Sequence, residues 1–162
     1  MRYRYRLLAL VLPLLFLAAR AEAAPTWEYD GTCRALTKEG DENADFSKIA
    51  PTSIPCEAAI LMRGGNGVAV LTAGKLTGGD SVGFGSSNFQ LKSDGKLITM
   101  AVDTIHLTPA PSVDATGSCL FSGTDIGKVT TISCTARVMS GSRKKLIGFD
   151  IHIASMHVIQ AK

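Results

Sequence analysis

The chain has 162 residues, with 17 Lys and Arg against 14 Asp and Glu and a formal net charge of +3. Four of those bases (Arg2, Arg4, Arg6 and Arg20) and one acid (Glu22) fall in the first 23 residues; the remaining 139 hold 13 of each, so the basic balance gives no support to a nucleic-acid partner. A domain of 139 residues buries about two-thirds of the surface its unfolded chain exposes, and a second domain has no room.

Residues 1–23 read as a secretory signal peptide. Arg2, Arg4 and Arg6 form its basic start, Leu7 through Ala19 its apolar core, and Ala21-Glu22-Ala23 a small-x-small cleavage motif. The apolar run is shorter than the roughly 20 residues a membrane span needs, so the single domain expected over 24–162 has no transmembrane span and is periplasmic or secreted. The short Leu-rich leader and the small cysteine-bearing product look like those of bacterial periplasmic proteins. Next, "TWEYDGTCRALT" places Trp27 and Tyr29 on one face of an extended chain, the alternation of a half-buried strand. The segment 38–55, "KEGDENADFSKIAPTSIP", is the longest irregular candidate. A loop of that length in a compact domain is unusual unless it is functional or pinned.

Cys56 would supply the pin by pairing with Cys33. The four cysteines, Cys33, Cys56, Cys119 and Cys134, are an even set in an exported chain, which favours disulfides. Three pairings are open, and proximity favours Cys33 with Cys56 and Cys119 with Cys134. Each would stabilise the fold by on the order of 3 kcal/mol through loop closure. A zinc site fits poorly, because 22 and 14 residues separate the cysteines of each pair and no histidine stands beside any of them.

"SIPCEAAILMRGGNGVAVLTAG" carries signals for a short helix from Ser53 and also for a hairpin turning at "GGNG"; the β-branched residues after the glycines favour the hairpin. "TGGDSVGFGSSNFQLKSDGKL" follows as short strands with glycine turns. In "KLITMAVDTIHLTP", Ile98, Met100 and Val102 share one phase while Ile105 and Leu107 take the other, a slip near Asp103. "KKLIGFDIHIASMHVIQ" slips in the same way near Ala154-Ser155. One-residue slips inside continuous strands are what β-bulges produce, and they bend and coil a sheet. Between these runs, "TGSCLFSGTDIGKVTTISCTAR" folds back: a turn at Ile126-Gly127 sets Cys119 opposite Cys134, a three-residue loop with a glycine bulge offsets them by two positions, and either keeps the pair within reach of a cross-strand staple. "ARVMSGSRKKLIGF" turns at Ser140-Gly141-Ser142. The predicted class is all-β, a single small antiparallel β-barrel or sandwich braced by two disulfides.

Few residues suggest chemistry. Gly79-Asp80-Ser81-Val82-Gly83 matches G-x-S-x-G, and Asp103 and His106 follow in triad order, but glycines occupy the place of the helix that a nucleophile elbow requires. Asp150 and His152 lie two apart on one strand face, alternate with the core positions Phe149, Ile151 and Ile153, and so point to solvent with His106 and His157. "SRKK", from Ser142, is the densest basic cluster and suits a hairpin tip that guards a strand edge or touches an acidic partner. "LTAGKLTGG" departs from a phosphate loop, with Gly67 seven residues before Gly74 where five are required and Leu76 in place of Ser or Thr. The chain has ten aromatics, three of them (Tyr3, Tyr5 and Phe16) in the leader, which gives nucleic-acid stacking little material.

The reading that fits these features is an exported, non-catalytic β-domain that binds a protein or cell-envelope component, an inhibitor among the options, with no cofactor, catalytic residue or metal ligand assigned. The 38–55 segment is the expected contact region. A second reading is a lipocalin-like carrier of a small apolar ligand; it requires a cavity of about 300 Å³ or more, which a solid core around Ile98, Val102, Phe149 and Ile151 would exclude. A third is a small hydrolase using Ser81.

Overall fold

The computed structural model describes residues 25–64, 68–74, 81–89, 92–93 and 97–159. The expected leader lies outside them, as do the tips of the "GGNG" and "SDGK" turns. Among the described residues, ten strands run in chain order: β1 (Thr26–Asp41), β2 (Thr52–Ile54), β3 (Ala58–Arg63), β4 (Ala69–Gly74), β5 (Ser81–Ser86), β6 (Lys92–Ser93), β7 (Leu97–Leu107), β8 (Val113–Ser122), β9 (Thr131–Ser140) and β10 (Arg143–Ile159). A short 3-10 turn, Ile126–Lys128, joins β8 to β9. Eight strands close an antiparallel barrel in the order β1-β3-β4-β5-β7-β8-β9-β10, with β10 returning to β1 along that strand's whole length. β2 adds to β1 and β6 to β7 outside this ring. Among the described residues, no helix is long and apolar enough to cross a membrane.

The alternation in the sequence builds the wall. Ile132, Cys134, Ala136 and Val138 of β9 are buried while Ser133, Thr135 and Arg137 between them are exposed, as a strand with one apolar face requires. Both expected bulges are present. Asp30 pairs with Ser155 and Gly31 with Ile153, so Ala154 of β10 has no opposite number. Val102 pairs with Gly117 and Thr104 with Asp114, so Asp103 faces two residues of β8, and Val102 and Ile105 both stay buried despite their odd spacing. A glycine stands at each irregularity. A Cβ on Gly31 would lie 1.9 Å from the carbonyl oxygen of His152, and one on Gly117 2.1 Å from that of Thr135. The strands approach too closely there for any side chain.

Tyr29, Phe84, Phe121, Phe149, Leu61 and Leu71 are among the fully buried interior residues. Phe84 on β5 and Phe149 on β10 come from opposite sides of the ring, and their centroids are 6.2 Å apart. That contact fills the middle of the lumen. Ile98, Val102 and Ile151 are buried as well, so the carrier reading loses the central cavity it requires.

The disulfides are Cys33–Cys56 and Cys119–Cys134, the pairing that proximity favours. Cys119 and Cys134 are register partners with Cα atoms 4.0 Å apart, inside the barrel. Cys33 lies where the edge of β1 passes from β3, which pairs with Thr26 through Asp30, to β2, which pairs with Ala35 through Thr37. The Cys33–Cys56 disulfide therefore bridges the interval between two partner strands.

The 38–55 segment is shorter as a loop than the sequence suggests. β1 continues through Asp41 because β10 pairs with it to the end, Asp41 with Arg143, and β2 takes 52–54. Only 42–51 is irregular between them. The "GGNG" segment does join a hairpin, β3 with β4, rather than end a helix.

Candidate functional site

The serine, aspartate and histidine of the elbow-like motif lie on neighbouring strands, each with a different hydroxyl partner. Gly79 and Asp80 fall outside the described residues; Ser81 opens β5, which continues extended to Ser86. Its hydroxyl donates to Thr108 Oγ1 at 3.0 Å. Ser112 Oγ lies 2.5 Å from His106 Nδ1, and Asp103 accepts from the Ser87 amide at 2.8 Å and from the Ser87 and Thr104 hydroxyls. No hydrogen bond joins Ser81 to His106, or His106 to Asp103. Partial desolvation pushes the Asp103 pKa up, but the hydrogen bonds from Ser87, Thr104 and its own backbone together outweigh it and hold the carboxyl below the usual carboxylate range.

His106 does lie on the outer face, yet it is half-buried. Its ring covers Gly83 and Gly85: a Cβ on Gly83 would come within 3.2 Å of His106 Cβ, and one on Gly85 within 3.1 Å of Nε2. The two glycines make room for the imidazole, which explains why Gly83 and Gly85 are buried although they alternate with the core residues Val82 and Phe84. His152 and Asp150 are exposed on β10, and His157 lies 3.6 Å from Asp30, which also accepts from Ser155 Oγ. Among the described residues, no group of three or more His, Cys, Asp or Glu could hold a metal ion. The lysine of the phosphate-loop-like segment lies outside the described residues.

The face that gathers exposed apolar and cationic groups surrounds the β9-β10 hairpin. Gly141, at φ +60, and Ser142 turn it, and Glu39 of β1 reaches across to Arg143 at 3.1 Å and Lys145 at 3.3 Å. On its outer side, Arg137 is in register with Thr116 and Leu146, and Met139 with Lys144. The 42–51 loop folds back beside this surface and leaves a groove of about 560 Å³ between Phe46 and Met139, Arg137 and Lys144. Met139 is 56% exposed, and neither Arg137 nor Lys144 makes an ion pair among the described residues.

The loop is held by its own bonds. Lys38 Nζ donates to the Phe46 carbonyl at 2.7 Å, the Ala44 amide to the Asp41 carbonyl, and the Ser47 amide and hydroxyl to Asp45 Oδ1. The Ser47 hydroxyl and amide are also the main cause of the lowered Asp45 pKa. Ala44 and Ile49 pack over Gly40, where a Cβ would lie 2.4 Å from that of Ala44. A ledge ordered in this way loses little freedom when something docks on it.

The sequence reading names the loop and the basic hairpin tip but not Met139 or Arg137. Met139 had a signal: it follows Val138 directly and breaks the alternation, so it must face outward. No protein-family model, curated protein or solved structure matches this chain.

Proposed function

We propose that this protein is an exported, non-catalytic binding domain that takes a protein or cell-envelope partner in the groove between the 42–51 loop and the outer side of β8, β9 and β10. Met139 carries the reading. An apolar side chain more than half exposed, between two cations that make no ion pair among the described residues, is an incomplete contact surface, and an apolar group flanked by negative charge completes it. Asp45 also lines the groove but pairs with Lys48. The preordered loop lowers the entropic cost of binding. Two disulfides fit an oxidising compartment outside the cytosol.

The test is capture of partners from a periplasmic or extracellular extract by the oxidised protein, by Met139→Asp and by Arg137→Glu. Both substituted side chains are exposed, so folding is expected to persist. A partner held by the wild type and lost by both variants supports the groove; equal recovery by all three rules it out as the contact face.

A further inference from the structure

Beside the groove, on the inner side of the same hairpin, the barrel wall encloses a second pocket of about 240 Å³. Its floor is apolar: Leu107 from the end of β7, Val113 from the start of β8 and Val138 from β9, with Pro111 beside them. Register places the ionic side chains over this floor. Lys145 is opposite Val138 on one side and Glu39 on the other, and partners across an antiparallel pair share a face. The Glu39, Arg143 and Lys145 triad therefore sits on the lumenal side of the wall, at the rim of an apolar pocket, with one carboxylate shared by two cations. Asp41, the register partner of Arg143, makes no ion pair with it among the described residues.

We propose that this pocket binds a small amphipathic anion, its apolar tail on Leu107, Val113 and Val138 and its anionic head on Arg143 and Lys145. The charge count supports this choice of ligand. Glu39 is shared by Arg143 and Lys145, and Lys144 also lines the pocket, so one carboxylate stands against three cations beside an apolar surface, and an aliphatic carboxylate or phosphate monoester complements both. A neutral apolar molecule leaves the excess positive charge unsatisfied, and an aliphatic amine opposes it. The volume limits the tail to a short chain and is less than that of typical drug-sized sites, so this is a rim pocket on a filled barrel rather than a lumenal carrier site. Glu39 competes with the ligand head for the same two cations. That makes the proposal testable through a gain of affinity, which misfolding cannot imitate.

The probe is octanoate, with octanol and octylamine as controls, titrated into the oxidised protein and followed by amide and methyl chemical shifts. Saturable octanoate shifts at Leu107, Val113 and Val138 are expected, with octanol and octylamine binding more weakly by roughly tenfold. Glu39→Gln should tighten octanoate roughly threefold, and the pair Arg143→Gln and Lys145→Gln should weaken it roughly tenfold. Octyl phosphate distinguishes a phosphate-headed ligand from a carboxylate: tighter binding of either assigns the head group within the same site. No saturable shift for either anion, shifts confined to other residues, equal binding of octanol and octanoate, or weaker octanoate binding in Glu39→Gln would each overturn the proposal.

Discussion

The two ends of the barrel are built on opposite plans. At the end where β8 gives way to β9, the chain folds its own loop inward: Asp125 Oδ1 accepts from the Gly127 amide, Thr130 bonds back to the Ser122 carbonyl, and the Ile153 amide of β10 donates to the Thr130 carbonyl. Tyr29, fully buried, donates its hydroxyl to the Ile126 carbonyl at 3.1 Å, and Trp27 is buried two residues away. Every polar group named here has a neutral or backbone partner. At the other end, the β9-β10 hairpin sets Glu39, Arg143 and Lys145 over Leu107, Val113 and Val138, and a pocket remains. One end contributes cohesion, whereas the other keeps charge beside apolar surface, which stabilises little by itself and suits a surface that meets a second molecule.

The largest effect should come from the residue on which both ends depend. Phe149→Ala removes one of the two rings that meet across the lumen, and large-to-small changes of this kind cost about 3–5 kcal/mol. Urea denaturation should show that loss with one cooperative transition. Two separate transitions would mean that the ends are independent and that the core does not couple them. Replacing Cys119 and Cys134 together by Ala should cost about 2–5 kcal/mol, since a buried bridge between adjacent strands is lost. A loss near zero would show that strand pairing alone holds β8 to β9.

Tyr29→Phe isolates the sealed end. It keeps the ring and deletes one partly buried hydrogen bond, so about 1 kcal/mol is expected. Burial, and secondarily the charge of Asp125, raises the Tyr29 pKa well above its ordinary value near 10. The folded state thus binds the phenolic proton more tightly than the unfolded state. The corresponding stability is complete below the ordinary tyrosine pKa and is lost as pH rises through and beyond it. Denaturation across the alkaline range should show that loss in the wild type and a smaller one in Tyr29→Phe. Parallel curves would place the titrating group elsewhere.

Most of the wall was legible because its physics is local. Period-two burial, glycine turns and the two phase slips give strands, hairpins and bulges without knowledge of any distant contact, and the slips at Asp103 and Ala154 fall where the register breaks. Glycines inside strands carried a further signal that went unread: Gly31 and Gly117 mark close approach of the backbone at both irregularities. Closure was not legible, because pairing Thr26 with Ile159 joins opposite ends of the chain and leaves no local trace. The same cause hid the strand character of Lys38 through Asp41, whose polar sequence resembles a loop until β10 pairs with it. The half-buried state of His106 depends on glycines two strands of sequence earlier, and its contact with Ser112 depends on the turn after β7.

The smallest effect tests the charged end most directly. Glu39 contacts two cations, but its side chain is 41% exposed and that of Arg143 is 65% exposed, so solvent screens both pairs. Glu39→Gln should therefore change stability by less than about 1 kcal/mol, even though it dissolves the only two ion pairs across the β1-β10 wall at this end among the described residues. Chemical denaturation at low and moderate salt should give nearly the same small difference. If Glu39→Gln instead cost as much as Tyr29→Phe, and if salt erased that cost, the triad would be a structural fastener and the contrast between a cohesive end and a receptive end would fail. A small cost would leave the triad free to exchange its carboxylate for another, as a binding surface requires.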